Sequence, residues 1–449
     1  MACLNDNLLK YNCSAPRYTS YPTAANFSEM SANDYAVALK AIPNSETLSL
    51  YLHIPFCQQL CWYCGCHTKI TKRYAPVENY FYLLLKELRI IAGTLEERRV
   101  VSNIHFGGGS PNMLRSKDFA LLMQEIGKLF TIDKQAEISI EVDPRNTSSK
   151  QLETYKEYGV NRLSLGIQDF NQEVQEAINR VQGFDLVKDF VNQAREIGLE
   201  NINFDLIYGL PKQNPDNIKA NIDLVAKLNP SRIAIFGYAH LPQFKKHMRL
   251  IKEEDLPSDQ ERVEIFKIYK AGLEKLNYHL IGIDHFAKPD DELYTAVEQH
   301  QLYRNFQGYT TDSTPNLIGI GASAISQLPD LYCQNIVPVH LYEEQVTKGK
   351  LVTSRGTKIT EQDKFHRDII NDLMCYLTVD IYQICAEYNT NPAQFEAAYT
   401  ALIPLEQDGL ITFKDGVIKV NKDYPQTARI VASLFDEYND TNQNFSKVV

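Results

Sequence analysis

The sequence lacks the long apolar segments that cross membranes. No stretch approaches about 18 consecutive apolar residues, the length that indicates a transmembrane helix. The first 20 residues contain no apolar run of the kind that a signal peptide carries. We therefore expect a cytoplasmic protein without a membrane partner.

Basic residues are scarce relative to acidic ones. The 449 residues include 46 Lys and Arg against 56 Asp and Glu, which gives a net charge of −10. The chain carries no basic tail, whereas nucleic-acid-binding domains present basic patches or stripes. We therefore expect no nucleic-acid partner. An anionic small substrate would need local cations.

The nine cysteines do not suit a disulfide framework, because their number is odd and four of them fall between positions 57 and 66. In a chain without an export signal, such crowding indicates metal or redox chemistry. The other five are scattered: Cys3, Cys13, Cys333, Cys375 and Cys385. We expect each of these five to be a small buried or neutral residue and not a ligand.

Strand-like and helical stretches alternate through the middle of the chain. Strands are predicted at 48–54, 100–106, 137–142, 162–167, 201–207, 232–236, 279–283 and 317–320. Helices are predicted at 77–92, 116–129, 172–178, 185–197 and 215–228. This spacing is typical of repeated βα units, hence of a parallel sheet with outer helices. Six or seven units favour an α/β fold, a closed or partly open TIM-type barrel, with a doubly wound sheet as the alternative.

An N-terminal arm is predicted at 1–46, before the barrel at 47–347. Its segment 15–22 is rich in Tyr and contains two prolines, Pro16 and Pro22, which disfavour helix. We expect this segment to be extended.

The βα rhythm stops after about residue 347. Helices are predicted at 361–377 and 392–405, followed by two strands around Asp415-Gly416, which is a hairpin signal. We therefore predict a small, mainly helical, winged-helix-like domain at 348–449 that carries a β-hairpin. It has no basic recognition helix, so we do not assign DNA binding to it.

The decisive feature is the spacing of Cys57, Cys61 and Cys64, just after the first predicted strand. These positions give C-x3-C-x2-C, and three thiolates on one short loop can hold three irons of a [4Fe–4S] cube. The fourth iron is then left for a non-protein ligand. Structural zinc is the alternative, but it usually takes four ligands in two paired groups. Only His53 and His67 lie near, and there is no second C-x2-C pair.

Three further segments follow predicted strands, where the active sites of barrels lie. The glycines of 107–110 let the backbone approach a ligand closely, although a plain tight turn explains them equally well. A carboxylate at Glu141 or Asp143 suits hydroxyls or an ammonium group, whereas Asp143 would serve equally as a helix cap. The segment 319–323 is either a second ligand-adjacent backbone or a crowded strand–helix junction.

The cysteine motif, with the aromatic Tyr63 directly before the third cysteine, resembles the signature of radical S-adenosylmethionine enzymes. The resemblance extends to one family, the bacterial oxygen-independent coproporphyrinogen III oxidases. Segments similar to that family occur at 16–23, 53–57, 141–145, 166–170, 205–213, 238–242, 284–287, 289–293 and 304–311. They cover nearly the whole chain, and the segments 16–23 and 304–311 are the most specific.

This resemblance implies a partly open (β/α) barrel of the radical S-adenosylmethionine kind. It also implies that the open iron binds S-adenosylmethionine and that one electron then releases a 5′-deoxyadenosyl radical, which abstracts hydrogen from an unactivated carbon. The protein would position the reactants, receive the electron and exclude water and oxygen.

Residue by residue, the resemblance makes Cys57, Cys61 and Cys64 the cluster ligands and leaves Cys66 as an extra cysteine that does not ligate. The positions that match those around a first S-adenosylmethionine are Tyr51, Gly108, Glu141 and Ile325. Those that match a second one, which the family accommodates, are Tyr63, Gly109, Ser110, Gln168, Arg180, Asp205 and Ala239. Arg180 can hold a carboxylate bidentately, and Asp205 can accept from ammonium or hydroxyl groups.

The chain departs from the family pattern at a few positions. Ser110 occupies a position where the family has Thr, so the hydroxyl is kept. Tyr63 occupies a position where the family has Phe, so the aromatic ring is kept. His67 and Gly237 each stand for Asn, and the segment 243–249 also differs. The last three departures concern contacts around the site and not the reaction class.

The resemblance implies an enzyme of haem biosynthesis. It would oxidatively decarboxylate two propionate side chains of coproporphyrinogen III to vinyls and so yield protoporphyrinogen IX. An electron donor such as flavodoxin or ferredoxin is implied, and we expect a monomer. The alternatives on the same fold are a haem chaperone and a radical methyltransferase that opens haem. The chaperones typically lack Cys66 and the arm segment 16–23, and both are present here.

The implied substrate carries four carboxylates, so an acidic chain must supply cations locally. Arg17 on the arm is one candidate contact. Lys245, Lys246 and Arg249 are others, although a solvated surface run explains those three equally well.

We further hypothesise that the arm acts as a lid. Tyr18 and Tyr21 would offer flat apolar faces to a tetrapyrrole while Arg17 offers a carboxylate fork. The alternative is that the arm only packs across the outside of the barrel.

Overall fold

The computed structural model describes residues 2–439 and 445–448, with side chains from Asn5 onward. The expectation for Cys3 lies outside the described side chains. Among the other scattered cysteines, Cys333, Cys375 and Cys385 are buried as expected, whereas Cys13 is exposed. None of the helices in these ranges is long and apolar enough to cross a membrane.

The N-terminal segment packs in two parts. It contains α1 (Ala2–Lys10), β1 (Ser28–Glu29) and α2 (Ala32–Ala41). Tyr18 and Tyr21 pack into the hydrophobic cluster of the C-terminal region, whereas Tyr35 and Leu39 of α2 pack into the barrel core. The two parts of this segment pack against different cores and do not mark a boundary at residue 46, which stays a prediction.

Six βα units follow, together with two short strands. Their elements are β2 (Leu48–Ile54), β3 (Phe56–Cys57), β4 (Lys69–Ile70), α3 (Ala75–Leu95), β5 (Val100–Gly108), α4 (Ser116–Leu129), β6 (Thr131–Val142), α5 (Ser149–Glu157), β7 (Arg162–Gln168), α6 (Gln172–Ala177), α7 (Phe184–Glu196), β8 (Asn201–Tyr208), α8 (Pro215–Leu228), β9 (Arg232–Gly237) and α9 (Asp259–Lys275). The predicted strands and helices of this region are confirmed to within about three residues at each end, except that β6 begins at Thr131, about six residues before its predicted start.

Shorter elements complete the barrel region. They are β10 (His279–Ile281), β11 (His285–Ala287), α10 (Glu292–Glu298), β12 (Tyr303–Asn305), β13 (Gly308–Thr310), β14 (Leu317–Ile320), β15 (Ile325–Leu328), β16 (Leu331–Asn335), α11 (Val339–Thr347) and β17 (Thr353–Lys358).

The central sheet has thirteen strands, of which seven form a parallel middle in the order β14-β2-β5-β6-β7-β8-β9. Apolar side chains of these strands and of the outer helices form one continuous core. Because parallel strands end at the same edge, the loops after β2 and β5–β9 meet at one end of the barrel. We call this the carboxyl end and the opposite one the amino end.

Both flanks of the sheet are antiparallel, which the βα spacing did not predict. The strand predicted at 279–283 is β10, but β11 lies antiparallel between it and β9, so it does not extend the parallel barrel. Gly282, at φ +58°, turns the chain back there in a conformation that favours glycine. On the other flank, β15, β16, β17 and β1 follow β14.

The hairpin β12–β13 contributes Asn305, Tyr309 and Thr310 to a cavity that the parallel strands also line. Within the described ranges, no ladder joins β14 directly to β9, so the barrel is open there in hydrogen bonding. The Tyr309 hydroxyl accepts from the Ile283 amide at 3.1 Å and donates to the Met374 carbonyl at 2.6 Å. Its ring meets that of His285 edge-on, with centroids 5.1 Å apart.

The C-terminal region is mainly helical. It contains α12 (Glu361–Tyr376), β18 (Thr378–Asp380), α13 (Ile381–Glu387), α14 (Glu396–Gln407), β19 (Ile411–Lys414), β20 (Val417–Val420) and α15 (Thr427–Ser433). The predicted hairpin is confirmed: β19 pairs with β20 around Asp415-Gly416, and β18 extends the sheet. The boundary at residue 348 stays a prediction.

Candidate active site

The three motif cysteines lie together at the carboxyl end of the barrel. Cys57 ends β3, and Cys61 and Cys64 follow on the next loop, so that all three line one cavity of about 280 Å³. Gly109 permits this close packing: a Cβ there would lie 2.8 Å from the Phe56 carbonyl oxygen and 3.1 Å from Cys57 Sγ.

Hydrogen-bond donors approach the cysteine sulfurs from the strand ends. Ser110 Oγ lies 3.7 Å from Cys57 Sγ, and Arg180 Nη1 lies 3.6 Å from Cys61 Sγ. Asp143 holds both arginines of the site, at 3.4 Å to Arg180 and 2.7 Å to Arg145. These hydroxyl and guanidinium donors suit thiolates that ligate a metal cluster.

Backbone contacts fix the cysteine loop on its other side. The Trp62 amide donates to the Ile178 carbonyl at 2.9 Å. His247 Nε2 lies 2.8 Å from the Cys64 carbonyl oxygen, and Lys245 Nζ donates to the Cys66 carbonyl at 3.2 Å. The segment 243–249, which departs from the family pattern, therefore packs directly on the cysteine loop.

The arrangement suits a multi-iron cluster. Within the described residues, no three His, Cys, Asp or Glu side chains converge closely enough to hold a single metal ion. Three thiolates on one zinc would lie about 3.8 Å apart, because each Zn–S bond is about 2.3 Å long. The three thiols instead line a shared cavity, as an iron–sulfur cube requires.

Cys66 lies against Cys64. A hydrogen bond between the two thiols lowers the pKa of Cys64, against the raising effect of burial. Cys66 is the exposed member of the pair. Its role as a cysteine that does not ligate the cluster stays a prediction.

Glu141 closes the cavity on the side of β5 and β6. It accepts from the Gly108 amide at 3.1 Å and lies 3.3 Å from His105 Nε2. Burial would raise the pKa of Glu141, but the bonds from His105 and Gly108 outweigh burial and hold this pKa below its usual value. Glu141 is therefore ionised and available to a cationic or hydroxyl-bearing ligand.

Tyr51 supports this corner from behind. Its ring stacks on that of His105, with centroids 5.8 Å apart, and its hydroxyl lies 2.9 Å from His53 Nδ1. Burial lowers the pKa of His53 to about 4, so this imidazole is neutral. Gly108, at φ +117°, leaves room for it, since a Cβ there would lie 2.6 Å from the ring.

Asp205 lies deep in the same cavity without a cationic partner in a salt bridge among the described residues. Its oxygens accept from Ser164 at 3.0 Å and from Asn203 at 2.8 Å. Burial, followed by the nearby charge of Glu141, raises the pKa of Asp205 to about 6. A ligand cation or hydroxyl group would relieve this cost.

All but three of the predicted ligand and cofactor residues line the cluster cavity. The predicted residues that line it are Cys57, Cys61, Tyr63, Cys64, Gly108, Gly109, Ser110, Glu141, Gln168, Arg180 and Asp205. Tyr51 lies behind Glu141, and Ala239 lines the neighbouring cavity. Ile325 packs near Phe27 in a separate apolar cluster.

Sequence reasoning missed several polar residues of the site. Arg145 and Ser164 line the cavity, and His105 holds Glu141. Arg145 directly follows the Glu-Val-Asp-Pro segment that ends β6, and Ser164 and His105 alternate with buried positions on predicted strands. A face-by-face count of polar strand residues could have found the last two.

A second, larger cavity of about 590 Å³ adjoins the first. Tyr63, Ile207 and Phe236 line both. Arg17 lines the larger cavity and donates to the Gly237 carbonyl at 2.8 Å, and Lys245 lines it too. Lys246 and Arg249 are exposed and line none of the cavities found in the described ranges.

The two tyrosines of the arm segment 15–22 are almost fully buried. Tyr18 is 2% exposed and Tyr21 is 1% exposed, because both rings pack into the C-terminal hydrophobic cluster. Their hydroxyls bond to the C-terminal region: Tyr18 donates to Asp436 at 3.0 Å, and Tyr21 accepts from the Glu437 amide at 3.0 Å. These contacts anchor the arm to the C-terminal region. Tyr18 and Arg17 nevertheless belong to the wall of the larger cavity, and the lid hypothesis stays a prediction.

A (β/α) barrel with a three-cysteine loop at its carboxyl end defines a radical S-adenosylmethionine enzyme, and the Radical SAM superfamily model matches residues 51–225. Comparison of nearly the whole chain with known relatives points to one family within this superfamily. The chain is 41% identical to the oxygen-independent coproporphyrinogen III oxidase of Bradyrhizobium diazoefficiens over 426 residues, 95% of each chain. It is 40% identical to that of Escherichia coli over 444 residues, 98% of this chain and 97% of the relative.

A solved structure described as coproporphyrinogen III oxidase from Escherichia coli, a radical SAM enzyme, superposes with a TM-score of 0.90. It is 40% identical and covers 96% of this chain and 98% of its own. The chain belongs to the oxygen-independent coproporphyrinogen III oxidase family. It is a radical S-adenosylmethionine oxidoreductase of haem biosynthesis that uses a [4Fe–4S] cluster, and the chaperone and methyltransferase alternatives are not favoured.

Proposed function

We propose that this enzyme converts coproporphyrinogen III to protoporphyrinogen IX without oxygen. The observation that carries the proposal is that two cavities adjoin: the one lined by the three cysteines shares Tyr63, Ile207 and Phe236 with a larger one that suits a tetrapyrrole. The names of the full-length relatives supply the substrate.

The overall change at each propionate is the loss of one hydrogen atom, one electron and CO2. The side chain –CH2–CH2–COO⁻ loses a hydrogen atom from the carbon next to the ring. The bond to the carboxylate then breaks, which leaves a vinyl group and CO2 and passes one electron to an external one-electron acceptor. When bound, the cluster and S-adenosylmethionine supply the radical that takes the hydrogen atom.

The residues of the first cavity bind and orient. Cys57, Cys61 and Cys64 would hold the cluster, with Ser110 and Arg180 donating toward its thiolates. Glu141 and Asp205 are carboxylates that would accept from the ammonium and hydroxyl groups of S-adenosylmethionine. The remaining predicted positions, from Tyr51 to Ile325, stay proposals for the same cofactor.

The residues of the second cavity suit a porphyrinogen. Its wall is largely apolar and aromatic, with Tyr63, Phe236 and Tyr238 among the lining residues. Arg17 and Lys245 add cations that can pair with propionate carboxylates. A flexible, non-planar tetrapyrrole with charged edges needs this combination of apolar surface and anion partners.

Anaerobic turnover tests the proposal. Reconstituted enzyme with dithionite, S-adenosylmethionine and coproporphyrinogen III should release CO2 and 5′-deoxyadenosine and form protoporphyrinogen. Omission of S-adenosylmethionine and the Cys57→Ser variant are the controls, and both should give no product. Cleavage of S-adenosylmethionine with an unchanged porphyrinogen would refute the proposal.

A further inference from the structure

The loop that carries the cluster ligands is followed by an exposed cationic surface. Lys69 and Ile70 form β4, which pairs in parallel with β3, the strand that ends at Cys57. The Lys69 amide donates to the Pro55 carbonyl at 2.6 Å, and the Thr71 amide donates to the Cys57 carbonyl at 2.9 Å. Neighbouring strands lie about 4.8 Å apart, so β4 brings the protein surface within one strand of a cluster ligand.

Four cations gather on this surface. Lys69, Lys72 and Arg73 are exposed, and the Arg115 guanidinium lies 3.8 Å above the ring of Tyr74, the residue after Arg73. Ile70 lies among them and is 42% exposed. We call these residues, Lys69, Ile70, Lys72, Arg73 and Arg115, the β4 patch.

The charges of the β4 patch do not contribute salt bridges to the described part of the fold. Within the described ranges, none of its four cations forms an ion pair. Two acidic side chains of the neighbouring helices α3 and α4 are engaged elsewhere: Glu78 pairs with Lys117 at 3.5 Å, and the buried Asp118 accepts from the Tyr74 hydroxyl. An unpaired cationic patch stands out on a chain whose net charge is −10.

The patch is also separate from the ligand cavities. None of its residues lines the cluster cavity or any other cavity found in the described part of the chain. A small anionic substrate at the patch could therefore not reach the reacting atoms. A macromolecule that only has to deliver an electron could act from there.

We propose that the β4 patch docks an acidic one-electron carrier protein, which loses one electron as the cluster gains one. The inference rests on the proposed function, since that chemistry consumes one electron at the cluster for each S-adenosylmethionine cleaved. Complementary charge steers such encounters, and a small contact with one apolar residue at its centre suits a transient electron-transfer complex.

The test measures electron transfer alone, without substrate. Photoreduced flavodoxin is mixed anaerobically with the reconstituted enzyme, and loss of the cluster's visible absorbance is followed at several salt concentrations. The variant carries Lys69→Glu, Lys72→Glu and Arg73→Glu. Its second-order rate constant at low salt should fall by about tenfold or more, because electrostatic steering is worth roughly 10- to 1,000-fold. The second-order rate constant of the variant should also depend less on the salt concentration than that of the wild type.

A matched control separates local charge from net charge. Lys134, Lys227 and Lys275 are exposed and have no ion-pair partner among the described residues. They lie at the start of β6 and the last turns of α8 and α9, hence at the amino end of the barrel. The triple change of these lysines to Glu alters the net charge equally and should leave the rate constant at the wild-type value.

Dithionite provides the second readout. A small reductant needs no docking surface, so the β4 variant should be reduced by dithionite, and turn over porphyrinogen with it, at wild-type rates. An unchanged rate with flavodoxin, an equal fall in the control, or a raised KM for porphyrinogen in the β4 variant would each overturn the proposal. Wild-type enzyme that accepts electrons from flavodoxin at the patch but never converts porphyrinogen would instead refute the proposed function.

Discussion

Both ends of the barrel interior bury charged side chains, but at the carboxyl end Asp205 lacks, among the described residues, the counter-charge that each of them has at the amino end. There, Arg232 binds Asp291 at 2.7 Å and Arg162 binds Glu137 at 2.9 Å, with Glu292 in contact with both arginines. At the carboxyl end, Asp205 has only neutral donors, and burial raises its pKa to about 6.

This difference separates stability from function. Paired charges at the amino end satisfy one another and fix the strand ends, so their loss should strongly destabilise the protein. The carboxyl end holds thiols, carboxylates and a guanidinium whose remaining hydrogen-bonding capacity is directed into a cavity. Polar groups that lack hydrogen-bond partners in the fold lower the stability of the protein, and they are expected where ligands bind.

The largest effect is predicted for the cluster ligands. Cys57→Ser, Cys61→Ser and Cys64→Ser should each lose the cluster and all turnover, because two thiolates do not anchor the cube. Iron content and visible absorbance after reconstitution provide the measurement. Thermal unfolding of the apoproteins should change little, in contrast to changes at the amino end.

Cys66→Ser is the matched control for these variants. It should keep its iron and its brown colour, although turnover can slow because Cys66 lies against Cys64. A colourless Cys66→Ser protein would show that four cysteines close the site and leave no iron open.

Arg180 and Arg232 offer a direct test of the contrast. Arg180→Ala should raise the KM for S-adenosylmethionine by about 30-fold, which corresponds to about 2 kcal/mol of lost charge-assisted binding. Arg232→Ala should instead lower the free energy of unfolding by about 3–5 kcal/mol, because it leaves Asp291 buried and unpaired. Urea unfolding and steady-state kinetics on both variants check this. Equal stability losses without a difference in KM would abolish the distinction.

Arg17→Ala should have a smaller effect. Conversion of porphyrinogen should fall by about tenfold, as expected for roughly 1.4 kcal/mol of lost transition-state binding, while binding of S-adenosylmethionine and the cluster stay intact. Lys10→Ala on the same arm is the control, since Lys10 pairs with Asp408 at 3.0 Å, away from the cavities. Unchanged conversion by Arg17→Ala would remove Arg17 from the substrate site.

The smallest effect is predicted for the protonation of Asp205. If the ionised carboxylate binds S-adenosylmethionine, the dissociation constant should rise about fourfold between pH 7 and pH 5.5, because the pKa is about 6. Asp205→Asn should remove this step. A variant that keeps the same pH dependence would show that another group titrates.

The same shift has an opposite consequence for stability. The folded pKa of Asp205 lies above its unfolded value of 3.8, so the folded state binds the extra proton between these two values. The contribution of Asp205 to stability is therefore full below pH 4 and lost as the pH rises through 6. Asp205→Asn should be more stable than the wild type at pH 7.

The sequence predicted the features whose signals are local. Repeated βα spacing located the parallel strands, and the cysteine spacing located the cluster loop. The antiparallel strands β15–β17 were missed because each is short and none belongs to a repeated βα unit. Their pairing is decided by tertiary contacts such as the ladder between β16 and β17.

The site was harder to predict where contacts join distant parts of the chain. The distance from Arg180 to Cys61 and the bond from Lys245 to Cys66 span more than a hundred residues. The packing of Tyr18 and Tyr21 against the C-terminal region was not predicted, because composition shows that a ring is present but not which surface buries it. Here the C-terminal cluster covers both rings.

Transfer of hydrogen from substrate to cofactor tests the central claim most directly. Coproporphyrinogen III carrying deuterium on the propionate carbons next to the rings is turned over anaerobically with dithionite, and 5′-deoxyadenosine is examined by mass spectrometry. We predict that it gains one deuterium per molecule as labelled vinyl groups form. Unlabelled 5′-deoxyadenosine alongside protoporphyrinogen would contradict hydrogen abstraction from the propionate at this site.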